Sequence, residues 1–257
     1  MKMNMQLFKR GGLILSATLG FGFSNMASAL SLDTTYLQAN STLQFSSSAF
    51  NATNLLDISF STMGNAYQSG SVTTKGVTVP TFVLPVTNAD VSIGWNLKVS
   101  PNSGDATGSG LLLTRGYAQL GLANFSIDYT TDKVFADVMW GGKSTNMAVY
   151  SFTEQSDLKI GLSGLSLTMN QTLGNLKLTN QAVDTFASVL GVDDVFKGVM
   201  TGLDFGTITI DIKTALRKPI SDTPLTAASM VPESSTYLMM ALGLAGIATV
   251  ARRKRRG

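Results

Sequence analysis

The 257-residue chain has no cysteine and no histidine. Without cysteine there is no disulfide framework and no thiolate site, so stability must come from a packed core. Without histidine the Ser-His-Asp arrangement, the commonest general base and the commonest metal ligand are all excluded. Charge is also sparse, with 14% charged residues and only 6 prolines against 25 glycines. The formal charge of +3 is misleading, because 8 of the 19 basic residues lie at the two ends. Residues 30–230 carry 11 basic and 15 acidic side chains, a formal charge of −4. The basic balance of the whole chain therefore gives no support to nucleic-acid binding, which needs a basic patch on the folded part.

The ends carry the strongest patterns. Lys2, Lys9 and Arg10 precede an apolar stretch from Gly11 to Phe23, and Ala27-Ser28-Ala29 follows as a small-residue cleavage site. This is the order of a secretory signal peptide, cut after Ala29, and it implies the Sec machinery and signal peptidase as partners. The other end reads Val231-Pro232-Glu233-Ser234-Ser235-Thr236, then an uncharged run from Tyr237 to Val250, then Arg252-Arg253-Lys254-Arg255-Arg256. As a helix the uncharged residues from Thr236 to Ala251 span roughly 24 Å, short against a hydrocarbon core of ~30 Å. Bilayer thinning and snorkelling of the flanking arginines close such a gap. The basic cluster favours a cytoplasmic C-terminus. The expectation is a short C-terminal transmembrane helix in the inner membrane.

In this order of parts the tail resembles the PEP-CTERM sorting signal of Gram-negative bacteria that make exopolysaccharide. Pro232 and Glu233 match the first two motif positions, Ser235 and Thr236 the following pair, and Tyr237 the usual aromatic; Ser234 stands where a second proline is usual. The resemblance implies that an exosortase, a membrane protease or transpeptidase, cuts near the motif and frees the protein from a transient anchor. The destination would be the cell surface or the extracellular matrix, with exopolysaccharide as a further partner.

Between the ends, residues 30–213 read as a β-rich exported domain and residues 214–230 as a linker. Val91, Ile93, Trp95, Leu97 and Val99 alternate with polar residues and predict one strand, followed by a turn at Pro101 to Asp105. Phe125, Ile127 and Tyr129 alternate likewise, and Val134 to Trp140 forms their hairpin partner, with Gly141-Gly142 as the next turn. Ala148 to Phe152, Leu165 to Met169, Leu176 to Leu178 and Ile208, Ile210 and Ile212 continue the pattern. Asn51 is the expected cap of a helix over Ala52 to Met63, closed by Gly64, and Asn180 that of a helix over Gln181 to Leu190 ended by Gly191. A further short helix is expected from Asp193 to Met200. The fold class is mainly β, an antiparallel sandwich or barrel-like sheet with one or two short helices. Thr214 to Met230 contains Pro219 and Pro224 without periodicity, the composition of a linker. The stretches Ser109 to Leu113 and Leu122 to Asp128 are similar to secreted β-rich modules such as the HtaA-like domain; with no histidine, haem binding is not carried over.

Few residues suggest chemistry. Gly142-Lys143-Ser144 has the end of a phosphate-binding loop, but the glycine required earlier is Asp137. Asp128, Asp132 and Asp137 lie near one hairpin and offer either a carboxylate pair for polysaccharide hydrolysis or a calcium site, against the plainer role of solvated hairpin acids. Asp193 and Asp194 suit a helix start. Trp95, Tyr117 and Trp140 offer a carbohydrate-stacking surface or core aromatics. The expectation is a non-enzymatic surface or matrix protein with no catalytic residue, metal or cofactor. A secreted hydrolase and a carbohydrate- or calcium-binding module are the alternatives.

Overall fold

The computed structural model describes residues 28–230 except 75, 95–97, 164 and 165. The chain opens with β1 (Ser28–Asp33) and β2 (Leu37–Phe45), then α1 (Ser47–Leu55). Four strands follow, β3 (Ser59–Gly64), β4 (Tyr67–Thr74), β5 (Val77–Pro85) and β6 (Asn88–Ile93). The long strands β7 (Val99–Arg115), β8 (Ala118–Asp128), β9 (Lys133–Trp140) and β10 (Lys143–Glu154) come next. After β11 (Lys159–Ser163) and β12 (Ser166–Leu178), the helices α2 (Asn180–Leu190) and α3 (Asp194–Gly202) precede β13 (Gly206–Leu216). A 3-10 turn at Ala227–Met230 ends the described chain.

All the strands join one antiparallel sheet in the order β1-β6-β7-β8-β9-β10-β12-β13-β2-β5-β4, with β3 beside β7 and β11 beside β12. The sheet folds over on itself. Inward residues of β6 to β8 thereby face those of β12, β13 and β2 across one core, which includes Val79, Phe82, Leu111, Leu120, Val138, Val149, Leu173 and Ile208. Burying each such side chain contributes about 1.5–3 kcal/mol. The alternation in β13 does what its sequence implies: Ile208, Ile210 and Ile212 are all buried.

The helices close one end of this interior. Phe186 and Leu190 of α2 and Met200 of α3 meet Phe45, Leu113, Tyr150 and Phe205. Helix α2 starts at Thr179, whose hydroxyl accepts from the Ala182 amide at 3.2 Å and donates to the Ala148 carbonyl at 2.6 Å. It ends on Gly191, which takes the left-handed conformation at φ 63°. Arg115 then donates to the Leu56 carbonyl at 2.8 Å and to the Leu190 and Gly191 carbonyls, tying the end of α2 to the segment after α1.

Several expectations are corrected. The stretch from Val91 to Val99 is a hairpin: β6 ends at Ile93, β7 begins at Val99, and these two residues pair across the sheet. The Gly94 amide donates to the Lys98 carbonyl at 2.8 Å to close the reversal, and Trp95 lies outside the described residues. Pro101 to Asp105 forms part of β7, with Pro101 facing a register shift in β6; a proline is tolerated at such a bulge because the ladder is interrupted there. The first helix sits earlier than expected, capped by Ser46 through a 3.0 Å bond from the Ala49 amide. Ser59 and Phe60 belong to β3 instead. The stretches expected as separate strands over Leu165 to Met169 and Leu176 to Leu178 belong, from Ser166 on, to a single strand, β12, and Leu165 lies outside the described residues. Among the described residues there are three α-helices, and α3 fills the place expected for the short helix from Asp193 to Met200. The hairpin of β8 and β9 and the Gly141-Gly142 turn appear as expected, both glycines at positive φ, 52° and 78°.

Candidate functional site

Away from the helices the interior is not filled. Phe125 and Ile127 of β8, Met169 and Gln171 of β12, Ile210 and Ile212 of β13, and Ser41 of β2 border a cavity there. It leaves about 50 Å³ for the centres of water-sized atoms. Tyr129 and Leu158 stand half-buried at its mouth. The wall is mainly aliphatic and aromatic, with Asp90, Ser103 and Asp105 contributed by β6 and β7.

One of the polar residues is fully buried. Gln171 follows the inward alternation of Met169 and Leu173 in β12, so a polar amide is carried into the core and is 0% exposed. Its Nε2 donates to Glu154 Oε2 at 2.7 Å, while its Oε1 has no partner. Glu154 also lies close enough to Tyr129 to act on it electrostatically. Burial first, and that carboxylate second, push the Tyr129 hydroxyl well above the usual phenol range, so it stays neutral. Its ring stands edge-on to Phe152 at 5.7 Å. Reading the sequence for chemistry passed over this cluster because none of its members belongs to a motif. The signal that was there is Gln171 itself, a polar residue on the apolar side of an alternating strand.

The residues singled out from the sequence do not converge on one place. Asp128 accepts from the Thr130 amide at 2.8 Å and the Thr131 hydroxyl at 2.7 Å, bonds that hold its carboxyl below the usual range and organise the β8–β9 turn. Asp132 sits in that turn at φ 53°. Asp137 lies within β9 and accepts from Asn124 Nδ2 at 2.7 Å and Asn146 Nδ2 at 2.9 Å. Among the described residues no three acidic side chains gather as a cation site would require. Asp193 precedes α3 without a side-chain cap bond, and Asp194 pairs with Lys197 at 2.9 Å. Gly142, Lys143 and Ser144 form a hairpin turn and the start of β10, not a strand-to-helix loop. Tyr117 is fully exposed beside Gly116, whereas Trp140 packs against the core, so the two do not make a common stacking surface.

Ala29 is the second residue of β1, paired with Ser92. Ala27, Val231 to Thr236, Tyr237 to Val250 and Arg252 to Arg256 lie outside the described residues. Among the described residues no helix is long and apolar enough to cross a membrane.

The segment expected as a linker is bound to the body. Arg217 reaches the carbonyls of Thr34, Thr35, Ala39 and Val86 at 2.6–3.3 Å. Asn65 accepts from the Ser221 amide and donates to its carbonyl, and Asn124 does both for Leu225. Leu225, Ala227 and Met230 then cover Met63, Ala123 and Met139 on the outer side of the sheet. Gly121 is needed at this crossing, since a Cβ there would come 3.0 Å from the Met230 sulfur.

No protein-family model matches the chain, and no curated protein matches it. Among solved structures it is similar to the C-terminal domain of HtaA from Corynebacterium glutamicum, at 13% identity and a TM-score of 0.38, covering 69% of this chain and 98% of that one. A domain-swapped dimer of a histidine-to-alanine variant of the same domain shows 12% identity and a TM-score of 0.33, over 66% of this chain and 91% of that one. At this level no ligand or partner passes from those structures to this chain.

Proposed function

We propose that this is an exported, non-enzymatic protein of the cell surface or extracellular matrix. It leaves the cytoplasm through the Sec machinery, is cut by signal peptidase after Ala29, and is held in the inner membrane by Tyr237 to Val250. An exosortase-like enzyme then cuts near Val231 to Thr236 and discards the span with Arg252 to Arg256. The observation that carries this reading is the order of the terminal segments in the sequence, an apolar leader with its small-residue site at one end and motif, span and basic cluster at the other. In keeping with it, the body between them forms its own core from Ala39 to Ile212. Cleavage after Ala29 shortens β1 to Leu30–Asp33, which keeps the pairs from Leu30↔Val91 to Asp33↔Asn88.

Intact-mass measurement of the protein recovered from outside the cell tests this. The expected species begins at Leu30 and ends close to the motif. Exported material that still carries Arg252 to Arg256 would remove the processing claim. The hydrolase alternative gains no geometric support, because Asp128 and Asp137 accept separate sets of hydrogen bonds and Asp132 occupies the turn at positive φ.

A further inference from the structure

Among the polar residues bordering the cavity, which include Ser41, Asp90, Ser103 and Asp105, Gln171 alone is 0% exposed and keeps an acceptor with no partner. Its amide cannot turn over to hide the problem. The bond from Nε2 to the Glu154 carboxylate fixes which side carries the NH2 group, and a flipped amide would set a carbonyl oxygen against a carboxylate. Oε1 is thereby held in a buried setting as an acceptor with no donor. A buried acceptor left unmet is a standing cost, and native proteins rarely keep one without a use for it.

We infer that this cavity is a binding site for a small neutral molecule with an apolar body and a single hydrogen-bond donor, of the class of a simple phenol or cyclic alcohol. The inference is independent of how the chain is sorted. Size sets the upper bound: at about 10–15 Å³ per water, the cavity takes a single ring and not a fused one. Water finds polar partners on the side of Asp90, Ser103 and Asp105, whereas beside Gln171, among the paired β12 and β13 residues Met169, Ile210 and Ile212, it finds only one. An anion would be repelled by Asp90 and Glu154. A cation would lose its hydration against a mainly apolar wall, with Asp90 engaged by the Ser103 hydroxyl, Glu154 by Gln171, and burial favouring the neutral form of Asp105. A ring between Met169 and the isoleucines, with its hydroxyl donating to Gln171 Oε1, satisfies both the apolar wall and the unmet acceptor.

The full-length chain carrying 13C-labelled methionine methyl groups, with the Met169 signal assigned through Met169→Leu, reports on the cavity directly. Phenol is the probe, and toluene is its counterpart without a donor. Phenol should shift the Met169 methyl saturably and bind at least about tenfold more tightly than toluene, the discrimination one satisfied buried acceptor supplies. Gln171→Met, similar in length and lacking the acceptor, should bring the two affinities together without weakening toluene. The absence of a saturable Met169 shift overturns the site. Equal affinities in the unaltered protein overturn the role of Gln171, and that comparison stands even if the variant does not fold.

Discussion

Two aspartates show how little of a residue's energetics its position in the sequence conveys. Asp105 reads as the end of a turn and Asp128 as a polar position of an alternating strand, and the fold pushes the two in opposite directions. Burial raises the carboxyl of Asp105 above its ordinary 3.8, against a hydrogen bond from Asn88 and with some repulsion from Asp90. For such a group the neutral form is favoured by folding, so its contribution to stability is present below the ordinary value and is lost as pH rises through the raised one. Asp105→Asn keeps the shape and removes the charge. It should therefore raise the denaturant midpoint at pH 7 and leave it nearly unchanged at pH 3. Asp128 is the reverse case, lowered chiefly by the Thr131 hydroxyl; its contribution is present above the ordinary value and is lost as pH falls through the lowered one. Asp128→Asn should cost stability at pH 7 and not at low pH. Equal effects of either substitution at both pH values would show that charge is not the cause.

At the scale of elements, what the sequence conveyed and what it hid have a common origin in periodicity. The β8–β9 hairpin was readable because its alternating runs are separated by turn residues, and α2 because Val183, Phe186, Ala187 and Leu190 all face the core. The same rule misled between Val91 and Val99. Five residues separate the paired Ile93 and Val99, an odd number, so the alternation resumes in phase after the chain has reversed. Period two carries no record of a reversal of that length. Helix boundaries were missed for another reason: caps depend on one hydroxyl or carbonyl oxygen, and neighbouring Thr179 and Asn180 are both plausible. The structure assigns the cap to Thr179, with Asn180 exposed as the first helical residue. Thr179→Ala should cost about 1–2 kcal/mol in chemical denaturation, Thr179→Ser should retain most of that, and Asn180→Ala should stay within about 0.5 kcal/mol. A larger loss at Asn180 would return the cap to the residue expected from sequence.

For the whole molecule, the least legible part is the strap from Arg217 to Met230. It has no periodicity because hydrogen bonds fix its course, many of them made by asparagine and arginine side chains to backbone groups. Asn124 is its central anchor. The residue takes φ 51° at a register shift in β8, accepts from the Gly108 and Leu225 amides, and donates to Asp137 and the Leu225 carbonyl. Asn124→Gly preserves that backbone conformation at no steric cost while removing every side-chain bond. If the strap is an independent unit seated on a stable sheet, loss of its two bonds at Leu225 should lower local protection there by about 2 kcal/mol, or roughly 30-fold in exchange rate of the Leu225 amide. The Val138 and Leu122 amides inside the sheet should keep their protection, as local openings do not require global ones. The strap ends at Met230, seated against Gly121 and Met63 and directly before Val231. On the proposed sorting route, a protease cutting within Val231 to Thr236 would meet a tethered substrate whose reach from the body is set by Met230, not by a free run of 17 residues from Thr214. Asn124→Gly should release that tether and speed C-terminal trimming of the membrane-held form, followed by mass spectrometry. Leu225 exchange rising together with that of Val138 would mean that strap and sheet open as one, and the tether would then have no separate existence.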